Sequence, residues 1–310
     1  MITTVTLNTS IDKAYSIEGD LEVGTVMRVT SCIDNAGGKG LNASRAVATA
    51  GEDVVATGFV GGNNGRLLCE LLEADGISQE FVQVDSETRC CINVLEPSGR
   101  STEFLEPGRP VTNDDLARLA AKVRELALRS SVVTFSGSAP KGVSTGVYAT
   151  LIEQAKIAGA SVILDTSGDL LARGIEAKPT MVKPNTDEIA QLLGRTVSTP
   201  EEVVDAAREM HTSGIDQVVV SLGSKGALMA CEDGVFQGTP PKIEVVNPVG
   251  SGDTMVGTFA AAMSRGLSPV DQLRFAMACA TANCLTPSTG HFDLETANRL
   301  AKEVRIEKVG

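Results

Sequence analysis

The chain has 310 residues, 42% of them hydrophobic but only 3% aromatic, no Trp, and a formal net charge of −12. That length buries a large core as one α/β domain, or one domain with a small appendage, and the aliphatic composition suits a parallel sheet covered by helices. The acidic balance argues against nucleic acid and anionic membrane surfaces as partners, while a small anionic ligand held by a few local donors stays compatible with it.

A β-branched run at Thr3–Leu7 opens the chain, and Ala14–Asp34 then reads as strands with no helix between them. A helical pattern at Gly40–Ala50, a strand at Val54–Val60 and a helix at Gly65–Asp75 follow. Arg89–Gly108 is again free of helix: Cys90–Glu96 and Ser101–Leu105 flank Pro97-Ser98-Gly99-Arg100, a hairpin-type connection. Beyond it the pattern alternates: helix Asn113–Arg129, strand Val132–Ser136, helix Gly146–Gly159, then strands Ser161–Asp165 and Met181–Lys183. Helices Asp187–Leu193 and Pro200–Ser213, strand Gln217–Ser221, and helices Asp253–Arg265 and Pro269–Leu285 complete it. This order predicts an α/β fold with a mostly parallel sheet covered on both faces. The two helix-free stretches predict a small β-sheet lid, about residues 13–34 and 89–108, inserted into a single domain spanning 1–310; the competing reading makes them edge strands of the main sheet.

The seven cysteines are odd in number and contain no CxxC, which predicts buried free thiols in a reducing compartment; with two histidines in the chain, a Cys/His zinc site is disfavoured. No apolar stretch reaches the length of a membrane span, and Met1 runs into a strand without a basic leader, so the expected location is cytoplasmic.

Four glycine-bearing segments carry the chemistry. In Asn247-Pro248-Val249-Gly250-Ser251-Gly252-Asp253-Thr254 a glycine turn meets a helix start, where backbone N–H groups and the helix dipole favour an anion. Asp253 beside such a site suits a general base, and equally suits an N-cap. Asn35-Ala36-Gly37-Gly38-Lys39-Gly40-Leu41-Asn42 permits close backbone approach to a ligand but lacks the spacing of a Walker A loop. Lys183-Pro184-Asn185-Thr186-Asp187-Glu188 places Asn185 and Glu188 at a helix entrance, as nucleotide and magnesium ligands or as a capping box. Ser221-Leu222-Gly223-Ser224-Lys225-Gly226 follows an apolar strand, either as a ligand-binding turn or as a plain hairpin.

Together, and in this order, these segments resemble the ribokinase-like, or phosphofructokinase B, family of carbohydrate kinases; Gly37–Ser44 and Asn247–Thr254 look like its two signature regions. The resemblance covers nearly the whole chain and implies the three-layer α/β/α fold with a small β-sheet lid. Thr6-Leu7-Asn8, Asp12, Glu87-Thr88-Arg89, Ser136-Gly137-Ser138 and Lys183-Pro184-Asn185 are most similar to the group of tagatose-6-phosphate kinases and 1-phosphofructokinases. Ser251 and Thr102-Glu103-Phe104-Leu105-Glu106 lean to the tagatose-6-phosphate branch, with 1-phosphofructokinase as the alternative. Two departures stand out: Thr9 follows Asn8 where the group has proline, and Cys90-Cys91 follows Arg89.

The resemblance implies an ATP- and Mg²⁺-dependent transfer to a small-molecule sugar phosphate, giving a ketohexose 1,6-bisphosphate. Asp253 would be the base, with the amides of Gly250, Ser251 and Gly252 around the moving phosphoryl group. Asn8, Asp12, Gly37, Gly38, Asn42, Ser136 and Gly137 would hold the sugar, and Lys39 and Arg89 its existing phosphate. Lys183, Asn185, Glu188, Ser221, Gly223, Ser224 and Gly226 would line the nucleotide side, Glu188 holding Mg²⁺ through water; Asn283 would approach the adenine or ribose, or equally be a helix residue with a local partner. Edge strands of the lid would pair two chains into a homodimer. A non-catalytic sugar-phosphate sensor would be marked by a lost base, and a Rossmann dehydrogenase by a GxGxxG after its first strand; neither mark is present.

Overall fold

The structure, a computed structural model, describes residues 1–310. Its strands are β1 (Ile2–Thr6), β2 (Ser10–Ile17), β3 (Val29–Gly37), β4 (Val54–Val60), β5 (Ser78–Gln79), β6 (Val82–Gln83), β7 (Arg89–Leu95), β8 (Ser101–Leu105), β9 (Val132–Ser136), β10 (Ser161–Asp165), β11 (Met181–Val182), β12 (Gln217–Ser221), β13 (Ala227–Cys231), β14 (Gly234–Thr239) and β15 (Arg305–Lys308). The helices are α1 (Lys39–Thr49), α2 (Gly62–Ala74), α3 (Asn113–Ala127), α4 (Val147–Ile157), α5 (Gly168–Gly174), α6 (Thr186–Leu193), α7 (Pro200–Thr212), α8 (Ser251–Ser264), α9 (Pro269–Asn283) and α10 (Leu294–Ala301).

Eleven strands make one sheet in the order β15-β14-β13-β12-β11-β10-β9-β1-β4-β5, with β6 also on β4. From β12 through β4 every pairing is parallel, and β13, β14 and β15 close one edge antiparallel. Side chains on a strand alternate between faces, so Ile2, Val132, Ile163 and Val219 join one apolar cluster with α1, α8 and α9. Val5, Val133, Val162, Leu164, Val218 and Val220 join a second with α3, α4 and α7. Both faces are thus covered, which is why these strands read as continuous apolar runs. Three helices begin with reciprocal capping boxes, at Thr112/Asp115, Asn185/Glu188 and Thr199/Glu202, satisfying N–H groups that a first turn leaves free.

The helix-free stretches form a separate four-stranded sheet, β3-β2-β7-β8, rather than edges of the main one. Its hairpin β7–β8 and the antiparallel pair β2–β3 flank a parallel pairing of β2 with β7. The start of β2 and the end of β3 join the main domain at Ser10 and Gly37, which pair directly.

Several elements carry no clear sequence pattern and emerge only in the structure: α5, α10, the short β5 and β6, and the edge strands β14 and β15. The cysteine expectation needs correction too. All seven are free, but only Cys91, Cys231 and Cys279 are buried; Cys69, Cys90 and Cys284 are half-buried, and Cys32 is exposed because it lies on the thin small sheet. No helix is long and apolar enough to cross a membrane.

Candidate active site

The cleft is built where two helix N-termini meet at the carboxyl ends of the parallel strands. Helix α8 starts at Gly250, whose φ of 77° is left-handed; a Cβ there would lie 2.1 Å from Thr289 Cγ2, so only glycine fits this turn. Gly250 has no side chain with which to cap the helix. The first helical bond runs from Thr254 N to Gly250 O at 2.8 Å, and the N–H groups of Gly252 and Asp253 find no protein acceptor. Those free amides, at the positive end of a helix dipole, form a site for an anion.

Asp253 stands in that first turn. Asn42, in the first turn of α1, donates Nδ2–H to Asp253 Oδ2 at 2.8 Å. The two helices come this close because Gly257 of α8 lacks a side chain: a Cβ there would sit 2.3 Å from Ala43 O. Burial of the Asp253 carboxyl, reinforced by the charge of Asp165, pushes its pKa up to about 6 against the pull of Lys39, Asn42 and Lys183.

Asp165 ends β10 and is 2% exposed, with Lys183 Nζ at 3.1 Å and Lys39 Nζ at 3.6 Å. Lys39 is half-exposed, and its pKa is raised chiefly by Asp165, with Asp253 and Glu188 adding to the negative field and burial opposing. Lys39 was expected at the sugar's existing phosphate; the structure instead sets it among the carboxylates where the phosphoryl group would move. A Cβ on Gly252 would lie 3.7 Å from Lys183 Nζ, so this buried lysine borders the anion site.

At the opposite end, Asp12 packs against the backbone of Gly37, and Ser10 Oγ donates to its Oδ1 at 2.6 Å. Burial raises the Asp12 pKa, opposed by the Ser10 bond and the nearby Arg89 and Arg45. Arg89 donates to backbone: Nη2–H to Asn8 O at 3.1 Å and Nη1–H to Glu106 O at 2.7 Å. It thereby ties the base of the small sheet to the main domain, and with Asn8 and Arg109 lines a small cavity. Asn8 Nδ2 donates to Ser138 Oγ at 3.0 Å. Gly38 enters α1 with a φ of 120°, and Gly137, with a φ of 92°, lies against the stem of Lys39. Ser136 Oγ is buried without a hydrogen-bond partner.

In the segment expected to face the nucleotide, Asn185 and Glu188 form a capping box: Asn185 Oδ1 accepts from Glu188 N, and Glu188 Oε2 from Asn185 N, both at 2.8 Å. Asn185 also bridges Ser221, which brings the third and fourth segments together. Gly223 and Ser224 are exposed in the turn between β12 and β13. Gly226 differs from expectation: it is buried, and a Cβ there would meet Gly238 O at 2.1 Å, so it shapes the hairpin to β14.

Of the two readings of Asn283, the structure selects the helix residue with local partners and not the nucleotide ligand. It is 0% exposed, its Oδ1 accepts from Thr254 Oγ1 at 3.0 Å and Gly290 N at 2.9 Å, and its Nδ2 donates to Val249 O at 3.2 Å. It braces the glycine turn from behind and has no face toward a nucleotide. Two charged residues went unread in the sequence. Asp165 had a signal, a carboxylate closing an apolar strand at its carboxyl end. Arg45, three residues after Asn42 on α1, had none beyond that spacing.

A phosphate-sized anion site, a base poised near neutrality and two lysines paired to one buried carboxylate, at the strand ends of a parallel sheet, define a phosphotransferase acting on small molecules. The sequence matches the pfkB family carbohydrate kinase over residues 5–297, and the chain belongs to that family, whose members use ATP with Mg²⁺. It is 36% identical to a tagatose-6-phosphate kinase of Staphylococcus epidermidis over 312 aligned residues, covering 100% of both chains. Among solved structures, phosphofructokinase-2 of Escherichia coli in complex with potassium superposes with a TM-score of 0.93 at 30% identity, covering 97% of this chain and 98% of that one. A possible 1-phosphofructokinase of Thermotoga maritima gives a TM-score of 0.90 at 29% identity over 100% of both chains.

Proposed function

We propose that the protein phosphorylates tagatose 6-phosphate with ATP, giving tagatose 1,6-bisphosphate. The observation that carries the reading is Asp253, held by Asn42 beside two unpaired helix amides. The full-length similarity to a tagatose-6-phosphate kinase supports the acceptor.

In the reaction the C1 hydroxyl oxygen attacks the γ-phosphorus, the bond from that phosphorus to the β–γ bridging oxygen breaks, and the hydroxyl proton passes to Asp253. Asn42 occupies Asp253 Oδ2, and Oδ1 makes no hydrogen bond to the protein, so Oδ1 receives the proton. The amides of Gly252 and Asp253, with Lys39 and Lys183, balance the charge of the moving group. Gly250 N–H also finds no protein acceptor and joins them, whereas Ser251, expected to donate its amide, gives it to Pro248 O at 3.3 Å and serves in the turn that aims the others. Asp12, Asn8 and the Gly37–Gly38 backbone hold sugar hydroxyls, and Arg89, whose fork has donors left over, holds the 6-phosphate.

Magnesium suits this site as an ion held mainly by nucleotide oxygens and water. Glu188 uses only Oε2 in its capping box, leaving Oε1 for a water-bridged ion, and no three His, Cys, Asp or Glu side chains converge on one point. When bound, the ion neutralises the phosphate oxygens and makes the γ-phosphorus easier to attack.

The small sheet is also the surface for a second copy of the chain. Ile33, Leu95 and Leu105 are 59%, 39% and 64% exposed and lie in register with Ala14, Ser16 and Cys91, on the face that carries Asp12. Val23 and Val26, in the loop between β2 and β3, are 98% and 89% exposed. Such an apolar surface marks an interface, and E. coli phosphofructokinase-2 has a tetrameric inhibited form. Light scattering should give a dimer mass, and Ile33→Glu a monomer; a monomeric wild type removes the interface. The reading places the protein in the cytoplasm, where ATP and sugar phosphates meet.

The second reading, phosphorylation of fructose 1-phosphate at C6, is favoured by the Thermotoga structure. A panel of tagatose 6-phosphate, fructose 6-phosphate and fructose 1-phosphate with Mg-ATP separates the two. The highest kcat/KM is expected with tagatose 6-phosphate. A preference for fructose 1-phosphate would favour the second reading, and transfer to none of the three would leave a sugar-phosphate sensor.

A further inference from the structure

We infer that Arg45 is a positioning residue for the base: it fixes which way the Asn42 amide points and so keeps an N–H on Asp253. This rests on the kinase reading above and goes beyond it by assigning a residue that never touches substrate.

Arg45 is 5% exposed, and its guanidinium is spread over three acceptors. Nε–H donates to Asp75 Oδ2 at 2.7 Å, Nη2–H to Ala36 O at 2.7 Å, and Nη1–H to Asn42 Oδ1 at 3.1 Å. Asn42 in turn donates Nδ2–H to Asp253 Oδ2 at 2.8 Å. A primary amide has two faces, a donor and an acceptor, and can present either one to a neighbour. Arginine has no acceptor and stays charged, so a flipped Asn42 would set its NH₂ against a guanidinium and its carbonyl against a carboxylate. Both contacts would be repulsive. Arg45 therefore makes one amide orientation the only workable one, and that orientation supports the ionised form of the base while leaving Asp253 Oδ1 for the substrate.

The same guanidinium reaches further. Ala36 precedes Gly37, whose backbone packs on Asp12, so one side chain joins the sugar-binding turn to the amide that steers the base. Asp75 caps the end of α2 and anchors the outer side of the fork. The titratable groups facing Arg45 are Asp75, Asp12 and His291, the last held toward its neutral form by burial and by Arg45 itself, and those facing Asp253 are Lys39, Lys183 and Asp165.

The test compares kcat, both KM values, melting temperature and the pH profile of kcat for wild type, Arg45→Met, Arg45→Lys, Asp75→Asn, Asn42→Ala and the Asn42→Ala/Arg45→Met pair. Arg45→Met should lower kcat about 10- to 100-fold, the loss expected when a reacting group drifts from its place, with KM for ATP held within about twofold. Its acid limb should move to higher pH, because Asp253 loses a donor to its ionised form. The double variant should be no slower than Asn42→Ala alone, since the two residues act through one bond. Asp75→Asn should lower the melting temperature and leave kcat and the acid limb within about twofold, which separates positioning from mere packing. An unmoved acid limb in Arg45→Met, or a further loss of kcat in the double variant, overturns the inference. Should Arg45→Met fail to fold, Arg45→Lys decides: it keeps the charge but cannot span three acceptors, and wild-type kcat and pH profile in that variant overturn the inference equally. Turnover by Asp253→Asn at the wild-type rate would instead remove the reading underneath, whatever the Arg45 variants do.

Discussion

The two ends of the cleft are made of different material. The phosphoryl end rests on helix N-termini and strand ends that are anchored from behind, with Asn283 bracing the glycine turn and Gly257 locking α8 onto α1. The sugar end borders a four-stranded sheet with exposed apolar residues and a long loop between β2 and β3. On the proposed reading, chemistry that depends on a fraction of an ångström would sit on the braced end, and recognition that must admit and release a substrate on the open one. Arg89 stands at the seam, its guanidinium bonded to Asn8 O in the main domain and to Glu106 O just after the small sheet.

That contrast can be broken by variants that strike each end separately. The largest effect belongs to Asp253→Asn, which removes the base without removing the amides: kcat should fall about a thousandfold or more, while calorimetry still finds both substrates bound. Turnover near wild type would dissolve the distinction at its stronger end. Arg89→Ala comes next. KM for the sugar phosphate should rise about 10- to 100-fold with KM for ATP little changed, the cost of losing a charge-assisted contact to phosphate. Equal losses for both ligands would show that the seam holds the whole cleft together instead. The smallest effect is that of pH on the wild type. Burial raises the Asp253 pKa to about 6, and the base works ionised, so activity should climb as pH rises through that value and halve near it. A flat profile between pH 5 and 7 would mean that another step, or another group, sets the rate.

The same contrast explains what the amino-acid order disclosed. Parallel strands buried on both faces announce themselves as apolar runs, and amphipathic helices by their period, so the main layers were legible. The antiparallel edge was not: β14 carries two glycines, and β15 is an exposed run of alternating charge that resembles a loop until it pairs. Glycine turns were visible because few other residues tolerate such backbone. Asp165 and Arg45 were not, because what makes them matter is convergence in space, with Asp165 between two lysines from distant segments and Arg45 bonded to Ala36, Asn42 and Asp75. Asn283 is the converse case, a residue whose two readings the amino-acid order leaves level. An asparagine near a glycine loop is as good a strut as a ligand, and only its complete burial decides between them.

The contact of Gly257 with Ala43 has an evolutionary consequence. Because it clamps the helix of the base to the helix of Asn42 inside the main domain, that joint touches the small sheet only through Arg45, which is held by the backbone carbonyl of Ala36 in β3, an acceptor that any residue there would supply. Side chains of the small sheet can therefore drift, exchange or be grafted to accept a different sugar without retuning the base, provided the backbone at Ala36 keeps its place. One rigid joint frees the rest of the pocket to diversify, and a chimera carrying another member's β2–β3 and β7–β8 strands should inherit that member's sugar preference at this chain's catalytic rate.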